Sequence, residues 1–136
     1  MARPAAKDLT GRELDVMHVF WTAGEANVQD VRDTLAADGR ELAYTTVATL
    51  TKILLDKGYL KQTRSVRPFS YRPARTFEEV SGSMLGDVLD RVFGGSRELL
   101  LTRLMEQKRL TDAERTLLEK ALKPGVGDAD STETGR

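Results

Sequence analysis

Cysteine is absent from the 136-residue chain, and histidine occurs once, as His18. The first absence excludes a disulfide framework, a thiol nucleophile and a thiolate metal site. The second leaves too few rings for a zinc cage or a histidine base. No apolar run approaches the roughly 20 residues of a membrane span. Met1 to Asp8 also lack the apolar centre of a secretory signal, so the sequence predicts a cytoplasmic protein. An excess of one charge is missing too: 21 Lys and Arg face 21 Asp and Glu, and the global field points to no polyanionic partner. The carboxylate pairs Glu78-Glu79 and Asp128 with Asp130 read as helix N-terminal charge and tail. No catalytic residue, cofactor or metal is expected, and an enzyme is excluded.

What is present is an ordinary globular composition, 40% hydrophobic and 31% charged, enough for one domain or a small domain with an appendage. The charge is segregated. Between Leu42 and Arg75 lie Lys52, Lys57, Lys61, Arg64, Arg67, Arg72 and Arg75 against the single acid Asp56, whereas the chain from Thr76 onward is net acidic. Such a block is either a local polyanion-binding face or solvated surface. It also holds Thr45, Thr46 and Thr49, whose hydroxyls suit phosphates and bases.

Thr10-Gly11-Arg12-Glu13 is a capping box that opens a first helix, with Leu9 and Leu14 placed as a hydrophobic staple. Leu14, Met17, Phe20 and Trp21 form its helical stripe and read as core, with His18 beside them as a surface or satisfied residue; Gly24 stops the helix. A short extended piece around Ala26 to Val28 leads to a second helix from about Gln29 to Ala37, and a third is predicted over about Thr45 to Lys57. In the third, Val47, Leu50, Ile53 and Leu54 share one face while Thr45, Ala48, Thr49 and Lys52 share another. Tyr59 to Thr63 and Phe69 to Arg72 read as strands of a hairpin with basic residues at its tip, Lys61 being ordinary surface.

Three helices and a basic hairpin follow the chain order of a winged helix-turn-helix. A capping box at Thr76 to Glu79, Ser96 as a cap, and a third box at Thr111 to Glu114 then announce three more helices. Each has one apolar stripe and few neighbours to bury it, so a second copy is the economical partner. The fold expected is therefore mainly α: a flexible tail over 1–8, a winged helix-turn-helix over 9–74, a helical dimerisation domain over 75–123 and a disordered tail over 124–136. Met84, Val88, Val92, Leu100, Leu104, Leu117, Leu118 and Leu122 are the candidate dimer contacts.

In a helix-turn-helix the N-terminal part of the third helix meets base edges. Thr46 and Thr49 are thus candidates for hydroxyl or methyl contacts, Ala48 for a thymine methyl, and Lys52 for a phosphate. Thr45 either holds a phosphate or caps the helix.

These residues, in order, resemble a known family. The carriers are Leu9-Thr10 with Glu13, Val16-Met17 and Phe20-Trp21, and Val28 with Val31. They continue through Thr45-Thr46-Val47 with Thr49-Leu50, Lys57-Gly58 with Leu60, and Arg67 with Tyr71-Arg72-Pro73. From about Leu9 to Leu122 the chain resembles the BlaI/MecI penicillinase-repressor family of winged-helix regulators, and Leu89 to Ser96 is similar to the family's linker between dimerisation helices. The resemblance implies a homodimeric repressor on palindromic operator DNA, with Arg64 and Arg67 of the wing following the backbone or entering the minor groove. It also implies relief when a membrane metalloprotease receptor responding to β-lactam leads to cleavage in the dimerisation domain, which makes a receptor-linked protease the expected partner.

This sequence departs from the family at three points. Ile53 stands where a basic residue is usual, and Val66 where the wing usually has glycine, which implies another turn geometry at its tip. Thr102-Arg103-Leu104-Met105 lacks the Asn-Phe pair that some members carry in this stretch. The cysteine cluster of related copper-responsive repressors is absent, which excludes thiolate copper sensing. A winged-helix protein-interaction module without DNA binding is the alternative from another functional class.

Overall fold

The computed structural model describes residues 9–107 and 109–122; the predicted tails over 1–8 and 124–136 lie outside them. The elements run α1 (Gly11–Ala23), β1 (Ala26–Asn27), α2 (Val28–Ala37), α3 (Tyr44–Asp56), β2 (Leu60–Arg64), β3 (Ser70–Pro73), α4 (Phe77–Arg91), α5 (Arg97–Gln107) and α6 (Asp112–Leu122). This is a mainly helical winged-helix fold. One compact unit runs as far as Val88 and a second starts at Leu89. α4 is capped by Thr76, and its Val80 is buried in the core of the first unit.

That core is built from one face of each leading helix. Val16, Met17 and Phe20 come from α1, Val31 and Leu35 from α2, and Val47 and Leu54 from α3, joined by Tyr59 and Leu60 at the start of the wing. Trp21, expected inside, is only half-buried. Its indole Nε1 donates to the Arg75 carbonyl at 2.9 Å, which ties the exit of the wing to α1.

The sheet has three strands, one more than the expected hairpin, in the order β1-β3-β2 and antiparallel throughout. β1 pairs Ala26 with Tyr71 and Asn27 with Ser70. Asn27 also caps α2: its Oδ1 accepts the Asp30 amide at 2.8 Å, and Asp30 Oδ2 accepts the Asn27 amide at 3.2 Å. One residue thereby fastens the second helix to the sheet.

Two glycines make the sharp reversals. Gly24 (φ 88°) ends α1, its amide donating to the Phe20 carbonyl at 2.7 Å. Gly58 (φ 88°) follows α3, and the Tyr59 amide then reaches the Leu54 carbonyl at 2.9 Å. Both sit at a positive φ that a Cβ disfavours. The second drops Tyr59 straight into the core, where the Arg75 guanidinium lies 5.3 Å from its ring centroid.

Glu13 closes the assembly. It is 4% exposed, and its Oε1 accepts both the Thr10 amide at 3.0 Å and the Lys57 ammonium at 2.9 Å, so it joins the start of α1 to the end of α3. Glu13→Ala removes the reciprocal half of a capping box and an acceptor of a half-buried lysine. It is expected to cost about 2 kcal/mol, and Glu13→Gln about half as much. Urea denaturation of the full chain at fixed protein concentration measures both, and an alanine variant within about 0.5 kcal/mol of the parent would contradict this account.

Candidate nucleic-acid interface

The surface of α3 follows from its packing. With Val47, Thr51 and Leu54 buried, a step of about 100° per residue places Thr45, Thr49, Lys52 and Asp56 within an arc of about 60° on the opposite side. All four are exposed, and Thr46 and Ala48 are half-buried at the two edges. Thr51 spends its hydroxyl internally, donating to the Val47 carbonyl at 2.8 Å. No hydrogen bond to a described residue occupies the hydroxyls of Thr45, Thr46 or Thr49.

The helix begins one residue earlier than expected. Ala43 holds the cap position and no side chain caps the helix, so Thr45 lies inside the first turn and is not a cap. α1, α2, α4, α5 and α6 by contrast each start on a hydroxyl or amide side chain that accepts a backbone N–H. Lys52 reaches Asp56 Oδ2 at 3.6 Å, but both side chains are well exposed, and an i,i+4 pair of that kind contributes only about 0.3–0.5 kcal/mol. The lysine can be recruited by a stronger anion at little cost.

The wing lies beside this helix within the same unit. A register shift between Gln62 and Arg64 carries β2 outward, and Gln62 Nε2 donates to the Arg64 carbonyl at 2.9 Å. Thr63 donates to Glu25 Oε2 at 2.9 Å, bracing the hairpin against the α1–β1 turn. Arg64 and Arg67 are exposed, and the Arg67 guanidinium stands 5.4 Å from the Phe69 ring centroid. Val66 does not take a positive φ; among the described residues only glycines do, so the tip turns without the left-handed residue that a glycine there would supply. Lys61 and Arg72 are directly paired across the strands, both exposed. Like charges so placed repel and favour a nearby anion.

Tyr44 and Tyr71 were not among the expected contacts. Tyr44, the first residue of α3, is 48% exposed, and Tyr71 of β3 is half-buried against the core. Burial pushes the Tyr71 phenol above its ordinary range, and the neighbouring Tyr44 phenol adds to the effect, so Tyr71 is a protonated donor at neutral pH.

The model for the penicillinase repressor family matches residues 9–124, which take in α3, the wing and the three helices after it. The chain belongs to this family. It is therefore a DNA-binding winged-helix transcriptional repressor and not an enzyme. It is 32% identical over 104 residues to the transcriptional regulator BlaI of Mycobacterium tuberculosis, covering 75% of each chain. It is also 26% identical over 115 residues to an uncharacterized 16.5 kDa protein in the ptsI 3' region of Latilactobacillus sakei, covering 85% of this chain and 78% of that one. The complex structure of hsRosR-S1 shares the fold, with a TM-score of 0.50 at 15% identity over 94% of this chain and 98% of that one.

The second unit of this penicillinase-repressor chain has a different surface. Neither α5 nor α6 has a buried residue, and Leu101, Leu104, Met105, Leu110, Leu117 and Leu118 line a groove of about 730 Å³ between them. Of the candidate dimer contacts, Met84 and Leu100 are half-buried and Val88, Val92, Leu104, Leu117, Leu118 and Leu122 are exposed, Leu122 to 74%. Among the described residues, no helix is long and apolar enough to cross a membrane.

Asp56→Asn removes the acid that competes for Lys52. Stability is expected to stay within about 0.5 kcal/mol of the parent, because the pair is exposed. Affinity for duplex DNA at low salt is expected to rise about twofold to threefold, since one repulsive charge leaves the face. Urea denaturation and fluorescence polarisation check the two halves.

Proposed function

We propose that two copies of the chain associate through α4, α5 and α6 and lay two α3 helices into successive major grooves of a palindromic operator. The observation that carries this reading is the outward face of α3. It presents the unoccupied hydroxyls of Thr45 and Thr49 beside Lys52, next to a wing whose Arg64 and Arg67 are exposed. In this reading Thr46 and Thr49 meet base edges, Ala48 a thymine methyl, Thr45 and Lys52 phosphates, and the two wing arginines the backbone or minor groove. The unburied leucines of α5 and α6 support a second copy as the cover, because a contiguous apolar patch on a soluble chain marks an interaction surface.

Two-fold symmetry then sets the half-sites about 10 to 10.5 base pairs apart, or a multiple of that. The protein acts in the cytoplasm, where the operator is. Relief by a receptor-linked protease belongs to the same reading, with a constraint: Thr102 to Met105 lie within α5, and the Thr102 hydroxyl donates to the Glu98 carbonyl at 2.9 Å. A protease needs extended backbone, so cleavage there proceeds from an opened α5.

Sedimentation of the full chain is expected to give a dimer at micromolar concentration. Polarisation with inverted-repeat duplexes is expected to give affinity that falls steeply with salt. Thr49→Ala should cost about 1 kcal/mol and relax sequence preference, whereas Arg67→Ala should weaken all duplexes alike and reduce the salt slope by about two, one for each protomer. A monomer indifferent to every duplex, with salt-independent binding to a protein partner, would favour the interaction-module alternative.

A further inference from the structure

The site residues discussed so far come from two separate elements, the reading helix and the wing. A pair of phenols stands where these elements meet. Tyr44 opens α3 and Tyr71 sits in β3, paired across the sheet with Gln62 on one side and Ala26 on the other. Gln62 in turn holds the Arg64 carbonyl. Tyr44 is close enough to Tyr71 for the two phenols to interact electrostatically, and Tyr71 leads through its strand partner Gln62 to Arg64 at the base of the wing.

Of the two phenols, Tyr71 packs on the core, whereas the Tyr44 ring is exposed and its hydroxyl has no hydrogen-bond partner among the described residues. On the helix it lies about 40° beyond Ala48 and about 20° from buried Thr51, on the flank between the outward and the buried faces, where the start of α3 leaves it exposed. Helical side chains lean toward the N-terminus, so this ring extends past the front of α3, the end that approaches DNA in a helix-turn-helix.

We infer that Tyr44 is a DNA-backbone contact, its hydroxyl donating to one phosphate between the stretch read by α3 and the stretch followed by the wing, with Tyr71 backing its ring. This rests on the DNA-binding reading above and adds a residue and a ligand atom to it. A phenol suits the position. It is a neutral donor on a rigid ring with few torsions to freeze, so it fixes register without adding to the cationic attraction.

The probe is a fluorescein-labelled duplex enriched by the wild-type full chain from a pool of random sequences. Tyr44→Phe keeps the ring and deletes only the donor. It is expected to weaken binding about tenfold, equally for the enriched duplex and its point variants. The slope of log affinity against log salt is expected to stay unchanged, because a neutral donor releases no counterion. Lys52→Ala, measured in parallel, is expected to lower that slope by about two, one phosphate for each protomer of the dimer. The melting temperature of Tyr44→Phe should match the parent, which a merely structural role would not combine with a loss of affinity. Parent-like affinity in Tyr44→Phe overturns the inference, as does a change of sequence preference without a uniform loss. Failure of the wild-type chain to enrich any duplex overturns the DNA-binding reading itself, and is thereby distinguished from failure of the Tyr44 assignment.

Discussion

The orientation of the reading helix depends on a buried carboxylate. Glu13 receives the Thr10 amide and the Lys57 ammonium on one oxygen, and Lys57 is the residue at which α3 ends. A buried ion pair contributes little net stability against well-packed apolar residues, yet losing one partner is costly, so its effect is chiefly geometric. The packing of Val47 and Leu54 decides which face of α3 points inward, and the Glu13–Lys57 contact holds where the helix ends. Gly58 follows at once and reverses the chain into Tyr59 and β2. The root of the wing is therefore set by the same anchor, and α3 and the hairpin are positioned as one body.

Nothing comparable is found among the described residues of the second unit. Its helices are well capped, with Ser96 holding the Leu99 amide and Thr111 exchanging hydrogen bonds with Glu114, but capping is local and buries no apolar area. Covering a leucine or valine side chain is worth about 1.5–3 kcal/mol, while ordering a residue costs about 1–2 kcal/mol. Helices whose leucines stay in water leave the second cost without an offset. The first unit carries its own core, whereas α5 and α6 bury no residue of their own, and under the proposed dimer association would be the step that regulation acts on.

How much of this was legible in the sequence depended on the range of each interaction. The Thr10, Thr76 and Thr111 boxes are formed as their three-residue spacing predicts, because both halves of each box lie within one turn. The Asn27–Asp30 box was missed: it has the same geometry, but its residues fall outside the Ser/Thr with Glu/Gln pattern. β1 shows only as an extended piece because two residues carry no period. Thr45 offered a better cap than Ala43 by residue type, and the helix nonetheless starts at Tyr44 because Val47 must face the core. The Glu13–Lys57 contact spans 44 positions, and no local pattern encodes it. Tyr44 was passed over because the third helix was expected to begin at Thr45; in the fold it is the first helical residue and is exposed.

Electrical neutrality, which first argued against a polyanionic partner, fits an operator-specific one better than a strongly basic chain would. Each phosphate neutralised on duplex DNA contributes about −0.9 to the slope of log affinity against log salt, and non-specific binding is almost wholly this term. A protomer whose exposed cations near the interface are Lys52, Lys61, Arg64, Arg67 and Arg72, the first already leaning on Asp56, releases counterions from that face alone, while its overall neutrality gives the rest of the surface no hold on random DNA. In the proposed dimer two such protomers, joined by their C-terminal helices, would double the count on a single site. They also turn the second contact into an intramolecular one, which raises avidity by about 10² to 10⁴ without any new contact. Occupancy of the operator then follows the state of α5 and α6 more steeply than any change in α3 could make it, and the reading face can stay fixed while the apolar face does the switching.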